Sequence, residues 1–345
     1  MAYQVSIEVM EHLDFREKNG YQRVRSELTF DDDTCVDGII YIATEENPAF
    51  LGPATEAEIA LHIAQAEGPS GPNSEYLLLL ADALRKLPDG AAVLIQKPMG
   101  ESLEQAEEIL QVCREKNLVA AINFQLRYAP YITMARDAIQ QGLIGDLVDV
   151  EVRVNVETPW HLWEFLNDAQ SAELYYHSIH YVDMIRSFLG NPNSVQCHSM
   201  GSHTAPKIDC TRSAYSLDYG SDIRVNINTN HGHRFGKRHQ ESFVKFEGTK
   251  GAIKAQMGLL MDYPEGEPDW FEICILEEGK EAEWQSLPLN GSWFPHAFIG
   301  SMGELMYKLE NPSAELSHSV EDVIHTMKTV DAAERSSLSG GTPIS

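Results

Sequence analysis

Lys97-Pro98 closes an apolar run, residues 91–95, that reads as a buried strand, so a lysine amine stands at a strand's carboxyl end. Tyr176, His177 and His180 follow in one short segment. An imidazole titrates near pH 6.5 when unperturbed, so His180 can take a hydroxyl proton at neutral pH. Glu17, between Arg16 and Lys18, offers a carboxylate, a side chain that can serve as a general base, within a charged cluster. Arg127 follows a second apolar run, 118–124, where a side chain can reach a cleft. Glu173, His177 and His180 raise the question of zinc, with His177 and His180 at i, i+3 spacing. No further residue closes that ligand set, so the three read as cleft polarity and no metal is expected. His231, His233 and His239 beside Arg234, Lys237 and Arg238 form a basic patch that reads as a solvated loop.

One signature is missing. A dinucleotide fold brings backbone amides to a pyrophosphate through Gly-x-Gly-x-x-Gly between its first strand and helix. Residues 1–95 contain no such spacing.

The elements that must position these groups follow from periodicity. Residues 5–14 carry apolar positions at helical spacing, 23–30 alternate as a half-buried strand, and 38–43 form a β-branched and aromatic run. Thr55 and Glu58 make a capping box for a helix to about 66, and a leucine-rich helix should run from Asn73 or Ser74 to about Leu87. After the Pro88-Asp89-Gly90 turn, strand 91–95, a helix capped by Ser102 and strand 118–124 make a βαβ unit with parallel strands. A helix over 129–141 and a long alternating strand from 146 come next. Further strands near 214–219, 223–228, 242–247, 252–256 and 271–276 precede a closing helix rich in Met, Leu and Val. That order predicts an α+β arrangement around an antiparallel sheet.

Composition narrows the partners. With 26 Lys+Arg against 52 Asp+Glu, the net charge of −26 repels phosphate backbones and anionic lipid, so neither nucleic acid nor membrane is expected. Cys35, Cys113, Cys197, Cys210 and Cys274 are scattered and form no C-x-x-C pair, which fits a reducing, cytoplasmic setting. No apolar stretch is long enough to span a bilayer, and the first residues lack the basic and apolar regions of a signal peptide.

Two resemblances stand on specific segments. Leu13-Asp14-Phe15-Arg16-Glu17-Lys18, Asn19-Gly20-Tyr21, Asn47-Pro48, Leu51-Gly52-Pro53 and Gly68-Pro69-Ser70-Gly71-Pro72-Asn73 with Glu75-Tyr76-Leu77 resemble the ChaC-like γ-glutamylcyclotransferases. Those enzymes cleave glutathione to 5-oxoproline and cysteinylglycine, and the resemblance puts Glu17 in the position of the proton-relaying carboxylate. The family's opening strand and glycine loop, which hold the glutamyl group, have no counterpart from Met1 onward, so weak or no cyclotransferase activity is expected.

Residues 93–110, 123–154, 173–192, 248–253 and 294–300 resemble the Gfo/Idh/MocA oxidoreductases, NAD(P)-dependent enzymes of sugars, polyols and related compounds. That resemblance implies a Glu-Lys-Pro motif beside the nicotinamide, matched by Lys97 and Pro98 with Gln96 in place of Glu. It also implies an Asp four residues before a catalytic His, matched by His180 with Tyr176 where the Asp would be. Lys97 and His180 are then the catalytic pair and Lys97 and Pro98 the cofactor contacts. Tyr176 and His177, with Arg127 added by its position after the second strand, are the expected substrate contacts; the cofactor expected is NAD or NADP and the substrate a small molecule.

The fold class is α/β and α+β. A truncated γ-glutamylcyclotransferase-like segment (1–90) precedes the last βαβ of a Rossmann domain (91–128). A C-terminal α+β substrate or oligomerisation domain with a large, mostly antiparallel sheet (129–345) completes the chain. The alternatives are cyclotransferase action through Glu17, or a non-catalytic fusion that assembles as a homo-oligomer through the C-terminal sheet.

Overall fold

The computed structural model describes residues 21–29, 35–43, 67–68, 71–72, 80–160, 164–167, 169–203, 205–263, 265–342 and 344. Glu17, the helices expected at 5–14 and 55–66, and the first part, 73–79, of the helix expected to run to about Leu87 lie outside them. The chain divides into two compact units, 1–59 and 60–345.

In the first unit, strands β1 (Tyr21–Thr29) and β2 (Cys35–Ala43) form an antiparallel hairpin, with Tyr21 opposite Ala43 and Thr29 opposite Cys35. Both coincide with the alternating and β-branched runs of the sequence.

The second unit begins with a short antiparallel pairing of Glu67–Gly68 with Gly71–Pro72. Helix α1 (Leu80–Arg85) buries Leu80 and Leu84 in the same core as Ile95 and Ile109. This packing places residues 80–85 with the second unit. Strands β3 (Ala92–Gln96) and β4 (Val119–Asn123) pair in parallel across helix α2 (Leu103–Glu115), as the βαβ pattern predicts. Ser102 caps α2 by accepting a hydrogen bond from the Gln105 amide at 3.3 Å. Ala106, Ile109, Val112 and Cys113 recur on the buried stripe of the helix.

A 3₁₀ turn (Gln125–Tyr128) leads into helix α3 (Pro130–Gln140), whose proline occupies the first turn, where no amide partner is needed. Strand β5 (Leu147–Asn155) follows. A π-helical turn (Leu174–Ser178) then runs straight into helix α4 (Ile179–Leu189). The remaining strands are β6 (Ser194–Met200), β7 (Arg212–Asp218), β8 (Arg224–Asn230), β9 (Glu241–Gly248), β10 (Gly251–Gln256), β11 (Trp270–Ile275) and β12 (Trp284–Leu287). Helices α5 (Ala297–Glu310) and α6 (Val320–Ser339) close the chain, so the single closing helix expected from the sequence is two.

The eight-stranded sheet has the order β12-β11-β10-β9-β5-β8-β7-β6. All neighbours are antiparallel except β5 and β8. Alternation decides its faces. Val225, Ile227 and Thr229 of β8 and Val244 and Phe246 of β9 point inward. The Phe246 ring meets Phe188 of α4 at 4.9 Å. The outer face carries ion pairs, among them Lys245 with Glu151 and Glu247, and Arg153 with Glu241. The Gly-Thr-Lys-Gly turn between β9 and β10 needs its glycines, because a Cβ on Gly248 would lie 2.1 Å from the Ile144 carbonyl oxygen.

Candidate active site

Lys97 leaves the carboxyl end of β3 just before a cis peptide bond to Pro98. Its Nζ donates a 2.5 Å hydrogen bond to the backbone carbonyl of Tyr176 in the π-turn. Burial lowers the ammonium's pKa to about 8. The Tyr176 side chain turns the other way, its hydroxyl donating to Glu101 at 2.9 Å. So Tyr176 engages Lys97 through its main chain.

His180 lies edge-on to Phe124 and to Trp293, with centroids 6.0 and 5.8 Å away. Its Nδ1 and the Trp293 Nε1 are buried with no protein partner among the described residues. Burial first, and then the Lys97 charge, hold His180 well below the usual histidine range, so the ring is neutral at pH 7. That weakens the base expected from an unperturbed imidazole.

His177, despite its i, i+3 spacing, faces a different neighbour. Its ring stacks on His231 with centroids 4.3 Å apart, and Trp160 abuts both rings. Beneath them lies Glu173, fully buried. Its Oε1 accepts hydrogen bonds from Ser178 at 2.5 Å and Thr229 at 2.7 Å, while Oε2 has no partner. The His231 Nε2 stands 4.0 Å from Oε1, and its Nδ1 shares a 2.8 Å hydrogen bond with Thr158. Glu173 is therefore part of the core rather than cleft polarity. Among the described residues no group of three His, Cys, Asp or Glu side chains is arranged to hold a metal.

The basic patch also differs from its reading as a solvated loop. His231 and His233 are buried because they continue the inward positions at the end of β8, and only Arg234 to His239 reach solvent. A cleft of about 460 Å³ lies beside them, lined by Thr158, Trp160, His231, Arg234, Lys237 and Asp262 among others.

Arg127 sits apart from the Lys97 group. Its guanidinium donates to both oxygens of Asp183 at 2.6 Å, to Asp322 at 2.7 Å and to the Ser317 carbonyl at 2.5 Å. Every nitrogen is engaged, an arrangement that suits a structural clamp better than a substrate contact.

Lys97 and Pro98, where the resemblance leads one to expect a nicotinamide, stand at the carboxyl end of β3. The diphosphate is less well served. The helix after β3 has Ser102 already on its Gln105 amide and Glu104 in its first turn, and a carboxylate there opposes a phosphate.

Sequence reasoning missed the partners of Glu173. The available signal was Ser213 and Thr229 at inward positions of strands otherwise filled by Tyr, Leu, Val and Ile, where an unpaired hydroxyl would be costly.

Comparison with known proteins separates two regions. Residues 1–98 match the family model of ChaC-like proteins, and residues 132–254 that of the GFO/IDH/MocA C-terminal domain. Glutathione-specific gamma-glutamylcyclotransferase 1 of Danio rerio is 54% identical over 50 residues, 14% of this chain and 26% of that protein. The galactose/lactose metabolism regulatory protein GAL80 of Saccharomyces cerevisiae is 24% identical over 207 residues, 53% of this chain and 47% of its own length. The chain thus spans about half or less of the curated relatives it matches. Among solved structures, levoglucosan dehydrogenase in complex with NADH and levoglucosan is similar with a TM-score of 0.63 at 16% identity, over 77% of this chain and 75% of that one. The second unit therefore has an oxidoreductase-like fold of the Gfo/Idh/MocA kind.

Proposed function

We propose that this chain, which joins a ChaC-like region to a GFO/IDH/MocA C-terminal domain, is an NAD(P)-dependent oxidoreductase of a sugar, polyol or related compound with a weakened grip on its cofactor. The observation that carries this reading is the Lys97 amine on the Tyr176 carbonyl, at the carboxyl end of β3. Lys97 binds the substrate hydroxyl and, part of the time neutral near pH 8, takes its proton. His180 orients the substrate by hydrogen bonding, and Phe124 and Trp293 exclude water from that side. A nicotinamide, when bound, supplies the hydride acceptor. The dinucleotide's appearance among the solved relatives supports this reading, and the missing phosphate turn supports weak affinity.

Titration of tryptophan fluorescence with NADH and NADPH tests it, since Trp293 lies against His180. A saturable change with half-saturation approaching millimolar is expected. A flat response up to millimolar cofactor overturns the reading.

The 54% identity to a glutathione-specific cyclotransferase favours a second reading for the N-terminal region, action on glutathione through Glu17. The wild type should release 5-oxoproline from glutathione, and Glu17→Gln should slow that release by about 10²–10⁴-fold, the usual worth of a positioned proton-transfer group. Equal rates in the two proteins would remove this reading. The likeness to GAL80 keeps a third one, a regulatory chain without turnover, for which cofactor binding would persist with no oxidation of any polyol.

A further inference from the structure

We propose that the cleft at the carboxyl end of β8 is a carboxylate-binding site, with Arg234 as its recognising residue, and that it takes a sugar acid such as an aldonate.

Arg234 stands out by what it lacks. In a chain with 52 acids and 26 bases, arginines find carboxylates easily, and Arg127, Arg153, Arg186, Arg224 and Arg335 each pair with one. Arg234 is exposed and lines the cleft, yet has neither an ion pair nor a hydrogen bond among the described residues. Its guanidinium carbon lies 6.0 Å from the centroid of the Phe235 ring, a contact that consumes none of its N–H donors.

The backbone that carries it is fixed. His233 is buried, pairing through Nδ1 with the Asn155 amide of β5 at 3.3 Å and through Nε2 with the Gly236 carbonyl at 3.0 Å. Asp262, also in the lining, has a left-handed backbone with φ 52°, which a non-glycine residue keeps only where its surroundings hold it. They do so here. Its amide donates to Gln240 Oε1 at 2.8 Å, and the Lys237 amine pairs with its carboxylate. Gln240 and Lys237 line the same cleft, so the site stands formed before a ligand arrives, which lowers the ordering cost of binding.

The lining selects the ligand. A volume of about 460 Å³ suits a molecule of sugar size. Lys237 and Asp262 balance each other, which leaves Arg234 as the unmatched cation. A planar guanidinium takes a carboxylate through two parallel hydrogen bonds. Glu157 and Asp262 can accept hydrogen bonds from hydroxyls. The same two acids repel a doubly charged phosphate ester more than a singly charged carboxylate, so a sugar acid fits better than a sugar phosphate. His231 walls the cleft, and its ring stacks on His177, next to the Tyr176 carbonyl that holds Lys97. The proposal therefore rests on the oxidoreductase reading for its use of the acid, which would be the substrate.

Calorimetric titration of the full chain at pH 7, without nucleotide, tests it with gluconate, glucitol and glucose 6-phosphate as probes. Gluconate should bind more tightly than either of the others. Arg234→Met should weaken gluconate binding by about tenfold or more, the worth of a charge-assisted hydrogen bond. Arg238→Met removes the same charge outside the lining and should weaken it by less than about twofold, since exposed charges are screened. No gluconate binding, glucitol binding as tightly, glucose 6-phosphate binding more tightly, or equal losses in the two variants overturns the proposal. A chain that binds gluconate but no NADH keeps this site and loses the oxidoreductase reading, and the reverse result does the opposite.

Discussion

Asp183→Ala is expected to destabilise the C-terminal unit by about 3–5 kcal/mol, the cost of breaking a buried ion pair by removing one partner. Asp183 is 1% exposed and receives two hydrogen bonds from Arg127, itself 5% exposed, and one from Thr326 at 2.9 Å. Arg186 joins through Thr326 at 2.6 Å and through Asp322 at 3.2 Å. The cluster ties the 3₁₀ turn after β4 to α4 and α6, three segments far apart in sequence. With Asp183 gone, Arg127 keeps Asp322, but that carboxylate is partly exposed and shared with Arg186. Urea midpoints at constant slope measure the loss. The double change Arg127→Met with Asp183→Leu should recover most of it, because charge and counter-charge leave together. A single variant as stable as wild type would show that the cluster tolerates an unpaired guanidinium.

That cluster marks a limit of sequence reading. Strands β7, β8, β9 and β10 were legible because burial alternates along them, and α2 because Ser102 and its apolar stripe agree. Edge strands β6 and β12 were not. β6 alternates but buries only Cys197 and has a serine at its last inward position, and all four residues of β12 are exposed, so neither shows the run of inward apolar residues that betrays a half-buried strand. Lys97 and His180 were singled out through the resemblance, whereas Arg127 was placed by position alone. Its partners Asp183 and Asp322 lie 56 and 195 residues away in sequence, and no local pattern announces such a pairing. His231 was hidden for a related reason: among exposed basic residues, one inward imidazole looks like the rest until the neighbouring strand covers it.

Glu173→Gln is expected to stabilise the protein at pH 8, by about 1–3 kcal/mol, the cost commonly attached to an unsatisfied buried polar group. Burial raises the Glu173 carboxyl above its ordinary value, and the hydrogen bonds from Ser178, Ser213 and Thr229 only partly oppose that. A carboxyl whose folded pKa is raised binds more protons in the native state than in the unfolded chain. Its contribution to stability is therefore full below the unfolded value near 4.5 and is lost as pH rises through the folded one. Glutamine keeps the oxygen that Ser178 and Thr229 need and carries no charge to desolvate. The gain over wild type should grow from little or nothing at pH 4.5 to its full size at pH 8. Urea midpoints of the two proteins at both pH values isolate this one group, because every other titration is common to both. A difference that stays constant with pH would mean that Glu173 is ionised to the same extent folded and unfolded, and that its hydroxyl partners outweigh its burial.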